Sequence, residues 1–558
     1  MPSAKELKEI LAQLQAHRSG FDGKLRAAAQ FALPPDQDDV GAAHTDEGQE
    51  YQYPAESVGV RCARQMSAGL FSNTVTPGQQ WFRLRAVDDK LNKLDEVRQW
   101  IDETSDLVLK ALGACNFSLE LQELLRTYVT LGTGVLFQEL VTRDGSKRLN
   151  FRHYSIRGCW ITEGPDGLVD GVYRLFVYTP RQAELEFGKE NLSQKTQDRL
   201  GKPEAFTEQL DFLHAVYRRD DSAADGRRKA GAKNMPWASV YVELDADKIV
   251  RTGGFENFPF AVPRCYKLAG KVYGESPAME ALGDLRQLER SSVDWVDAVE
   301  MAMIPPLFLP DRQAVETIDL RAGSINYYDP TRGGKPVFLQ ATGDVQVGEF
   351  FIRRKENAVR EAFFVDLFMA LEAKQQTAEP RTAEEIRELI REKVGAISPV
   401  VNRLQSELFG PIVIQAVALL SRAGMLPEPP AVLRGRQYEV EYQTRLDARL
   451  ADVESSNIIG GLQEIGMAFQ ILAGSPRLRA TVDEDELART LAYNRRMPLK
   501  LLRSPREVKK ALEAMAAEAA AKERAALLAA KVKPVDIQQP AAEGSPLAGM
   551  MATGGTAG

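Results

Sequence analysis

Two long helix-forming segments of nearly equal length, separated by a short irregular stretch, constrain the fold of this chain more than any other feature. The first begins at Ser276-Pro277, a favourable pairing of an N-cap serine with proline at the first helical position, and runs to about Met303. The second covers roughly residues 346–372. At 1.5 Å per residue the two helices span about 42 Å and about 40 Å. Residues 304–345 hold strand-like pieces ("PPLFLP", "GSINYYD", "KPVFLQA") broken by proline and glycine, so the pattern predicts a stalk with a β-rich knob.

The first 270 residues mix helical and strand-like segments. Amphipathic spacing predicts helices, and runs of β-branched and aromatic residues predict strands. The predicted helices are residues 1–32, 55–72, 92–113 and 117–130, and the predicted strands lie in "TGVLFQELV", "GLVDGVYRLFVYT", "LDFLHAVYRRDD" and "WASVYVELDADKIVRTGGF". With the helices that follow, the chain is predicted to be α+β, mainly α.

A polar break at residues 373–382 separates the second long helix from another helix. Pro380 biases Glu379 away from helical backbone, and Thr382 with Glu385 has the spacing of a capping box, so the new helix has its own start signal. That helix is predicted over residues 383–423, with a kink at Gly410-Pro411.

The C-terminal part is predicted to be helical after one more strand, "QYEVEYQT", and to end in a disordered tail from about residue 534. The last helix is rich in alanine. Two interpretations of it stay open: close contacts between neighbouring copies, or a solvated and partly frayed tail.

Composition excludes several classes of protein. The 558 residues carry 71 Lys and Arg against 78 Asp and Glu, a net charge of −7, so a broad nucleic-acid-binding surface is not expected and any contact with DNA would be local or weak. No run approaches the roughly 18 apolar residues of a membrane span, and the N-terminus reads as a helix, which predicts a cytosol-like compartment. The four cysteines are far apart and are predicted to be buried free thiols.

The sequence shows no catalytic motif. The four histidines are not at ligand spacing, a nucleophile elbow is missing, and "GRRKAGAK" at 226–233 is only a near miss to a phosphate-binding loop. We therefore predict no catalytic, cofactor-binding or metal site, and a protein that is not an enzyme.

The two long helices carry an excess of acid. Residues 276–303 hold six acids and two arginines, and residues 346–372 hold five acids and four bases, with Glu349–Arg353 and Glu356–Arg360 at favourable i, i+4 spacing. One interpretation is a solvated helix face. The other is a shared lumen through which a polyanion slides without sticking. The candidates for lining such a lumen are Glu280, Asp284, Glu349 and Glu356.

Several segments, in order, resemble the portal (head-to-tail connector) proteins of short-tailed bacteriophages. They lie between about residues 60 and 430 and are "SAGLFSNTVTPGQQWFRL", "LDFLHAVYRRDD", "FPFAVPRCYKLAGKVYGESPAMEALGDLRQLER", "PPLFLP" and the helix that begins "TAEEIRELIREKVGAISP". The sequence departs from the family pattern just before that helix, where Glu379-Pro380-Arg381 stand in place of the Met or Arg-Met often found there.

The resemblance implies a twelve-fold ring with a central channel. Residues 1–275 would form the wing, 276–303 and 346–372 the stem, 304–345 the clip, and 373–382 a channel loop. Residues 383–480 would be the long kinked helix and the return to the wing, 481–533 a helical crown, and 534–558 the tail.

The implied function is a conduit for packaging and ejection of double-stranded DNA at the capsid vertex of the virion, assembled in the host cytoplasm. The implied partners are other copies of the chain, the terminase large subunit, which hydrolyses ATP, tail adaptor proteins, and the major capsid and scaffolding proteins. Lys374 and Arg381 would contact DNA phosphates, and Gln375 and Gln376 would donate weaker bonds. The alternatives are solvated loop residues, a virion adaptor without a DNA channel, and an unrecognised α+β enzyme.

Overall fold

The computed structural model describes residues 2–34, 54–75, 80–92, 94–143, 145–219, 235–310, 319, 321–328, 345–372, 395–434, 438–442, 510–511, 513–522 and 524. The chain divides into two compact units, Met1–Val453 and Glu454–Gly558. In the second unit the described residues are helical and mostly exposed, and Lys522 pairs with Glu518 at 2.8 Å. All that follows concerns the first unit.

Helices make up most of the described residues, as predicted. In chain order they are α1 (Ala4–Ala32), α2 (Val58–Thr74), α3 (Asp89–Asn92), α4 (Asp95–Gly113), α5 (Phe117–Leu131), α6 (Pro180–Phe187), α7 (Gln194–Gln197), α8 (Pro277–Glu280), α9 (Leu282–Met303), α10 (Val345–Ala362), α11 (Val365–Glu372) and α12 (Gly395–Arg422).

The strands form several small sheets. They are β1 (Phe82–Ala86), β2 (Val135–Arg143), β3 (Ser146–Tyr154), β4 (Cys159–Glu163), β5 (Val169–Tyr178), β6 (Leu210–Arg218), β7 (Trp237–Glu243), β8 (Lys248–Phe255), β9 (Phe260–Ala261), β10 (Leu307–Pro310), β11 (Ile325–Tyr328) and β12 (Tyr438–Tyr442). An antiparallel sheet has the order β4-β5-β6-β7-β8 and another the order β3-β2-β9. β1 pairs with β12 antiparallel. The predicted strands that lie within the described residues are therefore found, whereas β3, β4 and β9 were not predicted.

The largest cluster of buried apolar side chains joins α2, α4, α5 and α12. Leu285 and Leu288 near the start of α9 and Val359 near the end of α10 also belong to it. Close backbone approaches hold these elements together. Gly132 ends α5 at φ 76°, and a Cβ there would lie 2.3 Å from the Gly274 carbonyl oxygen. The turn at the end of α5 therefore needs glycine at position 132, because only a residue without a side chain lets the two loops touch.

The helix predicted over residues 276–303 is divided. Ser276 caps its start as predicted, because its hydroxyl accepts the Met279 N–H at 3.1 Å, and the helix ends at Met303. Ala281, however, has ψ of 0° and tightens the backbone between the single turn of α8 and the long α9.

The prediction of one continuous helix over residues 346–372 is wrong. α10 ends at Ala362, and α11 starts at Val365 after Phe364, which has φ of 52°. Phe363 and Val365 are both fully buried. Residues two positions apart in an α-helix point to nearly opposite sides of it. An unbroken helix would therefore leave either Phe363 or Val365 in water. Burial of both side chains offsets the strain of the left-handed backbone, which is on the order of 1–3 kcal/mol.

The irregularity predicted at Gly410-Pro411 is found one turn earlier, as a π-helical turn at Gln405–Phe409 inside α12. Proline has no N–H and its ring crowds the carbonyl four residues before it, so the wider turn accommodates Pro411. Gly424 (φ 72°) then ends the helix as predicted: its N–H bonds to Ser421 O and the Met425 N–H to Leu420 O.

α12 is also the most apolar long helix. Among the described residues it alone is long and apolar enough to cross a membrane, judged by length and composition, yet more than half of its most apolar stretch is buried within the protein. The core therefore accounts for its apolar residues.

A buried ion pair ties α12 to the loop before α8. Arg264 donates from Nε and Nη2 to the two Glu407 carboxylate oxygens at 3.2 and 2.8 Å, and its backbone N–H donates to the same carboxylate at 2.9 Å. Arg403 reaches Glu407 at 2.7 Å, and the Gly167 carbonyl accepts a further Arg264 bond at 2.8 Å. Both partners of the pair are buried.

All four cysteines are free thiols. Cys62, Cys159 and Cys265 are buried, and Cys115 is half-buried. Burial raises the pKa of the Cys62 and Cys159 thiols to about 11 and that of Cys265 to about 12. Over the described residues, these thiols are inert core groups, as predicted.

We predict that Glu407→Gln lowers the free energy of unfolding by about 3 kcal/mol, because it removes the carboxylate that bonds the buried Arg264 guanidinium and leaves only Glu163, whose Oε2 lies 3.5 Å from Arg264 Nη1. Urea unfolding measures the change. Glu428→Gln is the matched control, since Glu428 pairs with Arg434 at 3.0 Å on the surface and should change stability by less than about 1 kcal/mol. Equal losses in the two variants would contradict the role of the buried pair.

We predict that His153 makes the fold sensitive to acid. Burial, and then the charge of Arg157, lower the pKa of His153 to about 4, against about 6.5 in the unfolded chain. Since the unfolded state takes up the proton first, stability is complete above pH 6.5 and falls as the pH drops towards 4, by about 3 kcal/mol.

His153→Leu should reduce the difference in unfolding free energy between pH 7 and pH 4.5. His17→Gln, which changes an exposed histidine on α1, should not alter it. An unchanged pH dependence in His153→Leu would exclude this residue as the cause.

Candidate functional site

α9 and α10 form an antiparallel hairpin that leaves the core. Near the core, Lys355 Nζ bonds Asp284 Oδ1 at 2.7 Å; further out, a Cβ at Gly348 would lie 3.0 Å from the Trp295 ring. The buried residues of α9 are Leu285 and Leu288, both near its core end. The rest of the hairpin is held by one helix packing on the other.

A pair of short strands lies beyond α9. The strands predicted in "PPLFLP" and "GSINYYD" are found as β10 and β11, which pair in parallel. Asn326 is buried and fixes the turn before β11, because its amide exchanges bonds of 2.7 Å with the backbone N–H and carbonyl of Asp319. Bonds from Arg321 hold the pKa of Asp319 down at about 2. The third predicted strand, "KPVFLQA", lies outside the described residues.

Large apolar side chains are exposed along this hairpin and its strands. Phe350 is 69% exposed and Val347 is 64% exposed. Such exposure of large apolar side chains is typical of a helix face on which no other element of the same chain packs. The others are Val293, Val296, Met301, Met303, Ile304, Leu307, Leu309, Ile325, Tyr327 and Phe351. So many exposed apolar side chains on one hairpin and its strands indicate a site of protein–protein contact.

α11 packs back onto the core after the break at Phe364. The Phe368 ring lies against α2 so closely that a Cβ at Gly69 would be 2.4 Å from it. Arg360 spans the break, with bonds to Asp366 Oδ1 at 3.3 Å and Met369 Sδ at 3.4 Å. The backbone direction at the end of α11 is therefore fixed by contacts on both sides of the break.

The predicted loop residues Lys374, Gln375, Gln376 and Arg381 lie outside the described residues. The four acids proposed to line a lumen are described, and they do not form one cluster. Asp284 pairs with Lys355 between the helices, Glu349 pairs with Arg353 at 2.6 Å, Glu356 is half-buried, and Glu280 is exposed at the end of α8. Their orientation towards a lumen stays a prediction.

The exposed apolar residues were not predicted to form a functional surface. The signal was present in "VQVGEFFIRR", where Val347, Phe350 and Phe351 accompany the residues that face α9. An apolar surface that covers more of a helix than one partner can bury indicates a second partner.

No catalytic or metal centre was predicted. The described residues contain no group of three or more His, Cys, Asp or Glu side chains placed to hold a metal ion. His214 is buried, bonds Ser239 Oγ at 3.0 Å and stacks on Tyr241, an arrangement typical of a core histidine.

Comparison with known proteins gives one consistent result. Residues 4–502 match the family described as bacteriophage head to tail connecting protein. The portal protein of Salmonella phage epsilon15 is 26% identical over 492 residues, 86% of this chain and 85% of the relative. A probable portal protein of Bordetella phage BPP-1 is 27% identical, over 78% of this chain and 77% of the relative. The portal protein of Escherichia phage T7 is 24% identical, over 76% of each chain.

Proposed function

Since this chain belongs to the bacteriophage head to tail connecting protein family, which it matches from residue 4 to residue 502, we propose that it is a portal protein. In this role, copies of the chain form a ring at one vertex of the capsid. Double-stranded DNA enters through the ring during packaging and leaves through it during ejection. The length of the family match is the observation that carries the proposal.

In this proposal, each part of the chain takes the place in the ring that the resemblance to portal proteins implies. Residues 1–275 form the wing, α8, α9, α10 and α11 lie in the stem, residues 304–345 form the clip, and residues 373–382 form the channel loop. Residues 383–480 complete the long kinked helix and return to the wing, and residues 481–533 form the crown. The exposed hairpin with a strand pair beyond α9 supports the assignment of stem and clip.

Oligomerisation is supported by the apolar surface of the hairpin, and the number of about twelve copies is what the resemblance implies. A single chain would leave side chains such as Phe350 and Val347 in water. Contact with another copy would remove that surface from water, at about 25 cal/mol for each Å² of apolar area.

The mechanism is passive in this proposal. The terminase large subunit docks at the clip and hydrolyses ATP, and tail adaptor proteins replace it later. The major capsid and scaffolding proteins surround the ring during assembly in the host cytoplasm, and the ring remains in the virion. The net charge of −7 supports a conduit that holds DNA weakly, because a strongly basic lumen would retain phosphates.

Direct contact with DNA is assigned to the channel loop, where Lys374 and Arg381 meet phosphates and Gln375 and Gln376 donate weaker bonds. A few cations per copy would give local contacts that leave the sliding of DNA unhindered. The acids Glu280, Asp284, Glu349 and Glu356 are proposed to contribute to the repulsive wall around them.

We predict that the purified chain assembles into rings with a mass near twelve times 61.8 kDa and an axial opening. Light scattering after size exclusion gives the mass, and negative-stain microscopy shows the opening. A closed assembly without an opening would favour a virion adaptor that conducts no DNA. A stable monomer that turns over a substrate would favour an enzyme.

We predict that Lys374→Ala with Arg381→Ala lowers the fraction of DNA-filled particles after packaging, because the loop loses its phosphate contacts. The measurement is the DNA content of assembled particles. Lys5→Ala with Arg148→Ala removes the same charge from exposed positions far along the chain from the loop and is the control. Normal packaging and retention in the loop variant would remove the assignment.

A further inference from the structure

We propose that Arg174 is the centre of a binding site for one carboxylate group, which an extended acidic segment of another protein in the particle supplies. The site lies on the face of the five-stranded sheet that the β3-β2-β9 sheet partly covers, since Tyr154 of β3 contacts Arg174 and Phe137 of β2 contacts His214. This face is far from the hairpin in the sequence and has no part in the contacts proposed above.

Two aromatic rings hold the Arg174 side chain in place. Its guanidinium carbon lies 3.6 Å from the ring centroid of Tyr154 and 4.6 Å from that of Phe176. Stacking of this kind uses the faces of the planar guanidinium and leaves the N–H groups at its edge available to an acceptor. Because the side chain is already held, it loses less conformational entropy when it binds an anion.

The Arg174 guanidinium has no anionic partner in the part of the chain that the structure describes. It is half-buried, and it makes neither a hydrogen bond nor an ion pair there. His214, its cross-strand neighbour, adds no charge, because burial and then the charge of Arg174 hold the pKa of His214 well below its usual value. A guanidinium in this condition is matched by a carboxylate, which accepts two of its N–H bonds.

Two further arginines near the site already have partners. Arg152 pairs with Glu139 at 3.2 Å, and Arg251 pairs with Glu186 at 3.0 Å. Among these five side chains, the positive charge of Arg174 is therefore the one left uncompensated. A single carboxylate balances it, whereas a nucleic-acid backbone would bring several phosphates towards Glu139 and Glu186.

Two tyrosines add neutral donors beside Arg174. Within the described residues the hydroxyl groups of Tyr154 and Tyr241 make no hydrogen bond, and burial raises the pKa of both. Both hydroxyls therefore keep their protons and can donate to an acceptor. Tyrosine together with arginine is also the composition found at the energetic centres of protein–protein interfaces.

An extended segment is the partner that fits this position. The site lies in a recess, because Tyr154 of β3 on one side and Phe187 of α6 on the other contact the same face of the five-stranded sheet. A folded copy of the chain meets its neighbour over a broad surface, whereas one acidic side chain on an extended segment can enter between the two walls. That the segment belongs to another protein of the particle rests on the proposed function.

Chemical footprinting of the full chain tests the site. Phenylglyoxal modifies accessible arginines, and mass spectrometry of the digested chain gives the rate at Arg174. The probe is the peptide acetyl-Val-Glu-Val amide, and acetyl-Val-Gln-Val amide is its uncharged control. We expect the glutamyl probe to slow the modification of Arg174 about threefold, because its carboxylate covers the guanidinium edge, and to leave the exposed Arg218 unaffected.

The other outcomes of the footprint would overturn the site or its ligand. Equal rates at Arg174 with the two probes would overturn the site. Stronger protection by inorganic phosphate, or by a short double-stranded DNA fragment, would overturn the choice of a carboxylate. An Arg174 that does not react even without a probe would show that the chain fills the site itself, and would also overturn the inference.

A variant of the stack tests whether the rings prepare Arg174 for binding. Tyr154→Leu removes the aromatic face but keeps much of the apolar volume, and it should abolish the difference between the two probes at Arg174. Phe206→Leu is the matched control, because it removes a ring that lies 4.9 Å from the Arg181 guanidinium, outside the site. An unchanged difference between the probes in Tyr154→Leu would contradict the role of the stack.

Footprinting of assembled particles identifies the source of the carboxylate. We expect Arg174 to react more slowly in complete particles than in isolated rings. Protection that is already present in rings would show that a neighbouring copy supplies the group, and equal reactivity in rings and particles would show that no particle protein does. Either result would overturn the assigned partner. Failure of the chain to form rings would refute the proposed function, whereas the footprint of the isolated chain would still decide whether the site exists.

Discussion

The ion pair between Arg264 and Glu407 is the contact on which the arrangement of the first unit depends. Arg264 lies in the loop between the β-rich part and α8, and Glu407 lies in the π-helical turn of α12. A buried guanidinium is tolerated only when its charge is compensated, so the loop and α12 are held at one distance and one rotation. Because α8 and α9 start directly after this loop, the direction of the hairpin follows from the same contact.

The π-helical turn has a second partner that shows how closely the parts are coupled. Tyr442 at the end of β12 donates to the Gln405 carbonyl at 2.6 Å, and β12 is paired with β1. The wider turn thus accommodates Pro411, presents Glu407 to Arg264 and leaves a carbonyl available for Tyr442. A local irregularity in one helix connects three regions that are distant in the sequence.

The break between α10 and α11 and the exposed hairpin illustrate opposite uses of apolar residues. Near the core, Phe363 and Val365 are both buried at the cost of a strained Phe364. Further out, Phe350 and Val347 remain exposed because a two-helix hairpin has no third layer to cover them. In an assembly of many copies, another copy of the chain is proposed to cover them.

The sequence by itself determined the elements whose signals are local. The N-cap at Ser276, the end of α12 at Gly424 and the strands with β-branched and aromatic runs were all predictable, because capping and side-chain alternation involve residues a few positions apart. The order of family-like segments between about residues 60 and 430 also identified the family. By contrast, the strained Phe364, the π-helical turn and the Arg264–Glu407 pair were decided by the tertiary structure. Each of them depends on burial against residues far away in the chain, which no short stretch of sequence specifies.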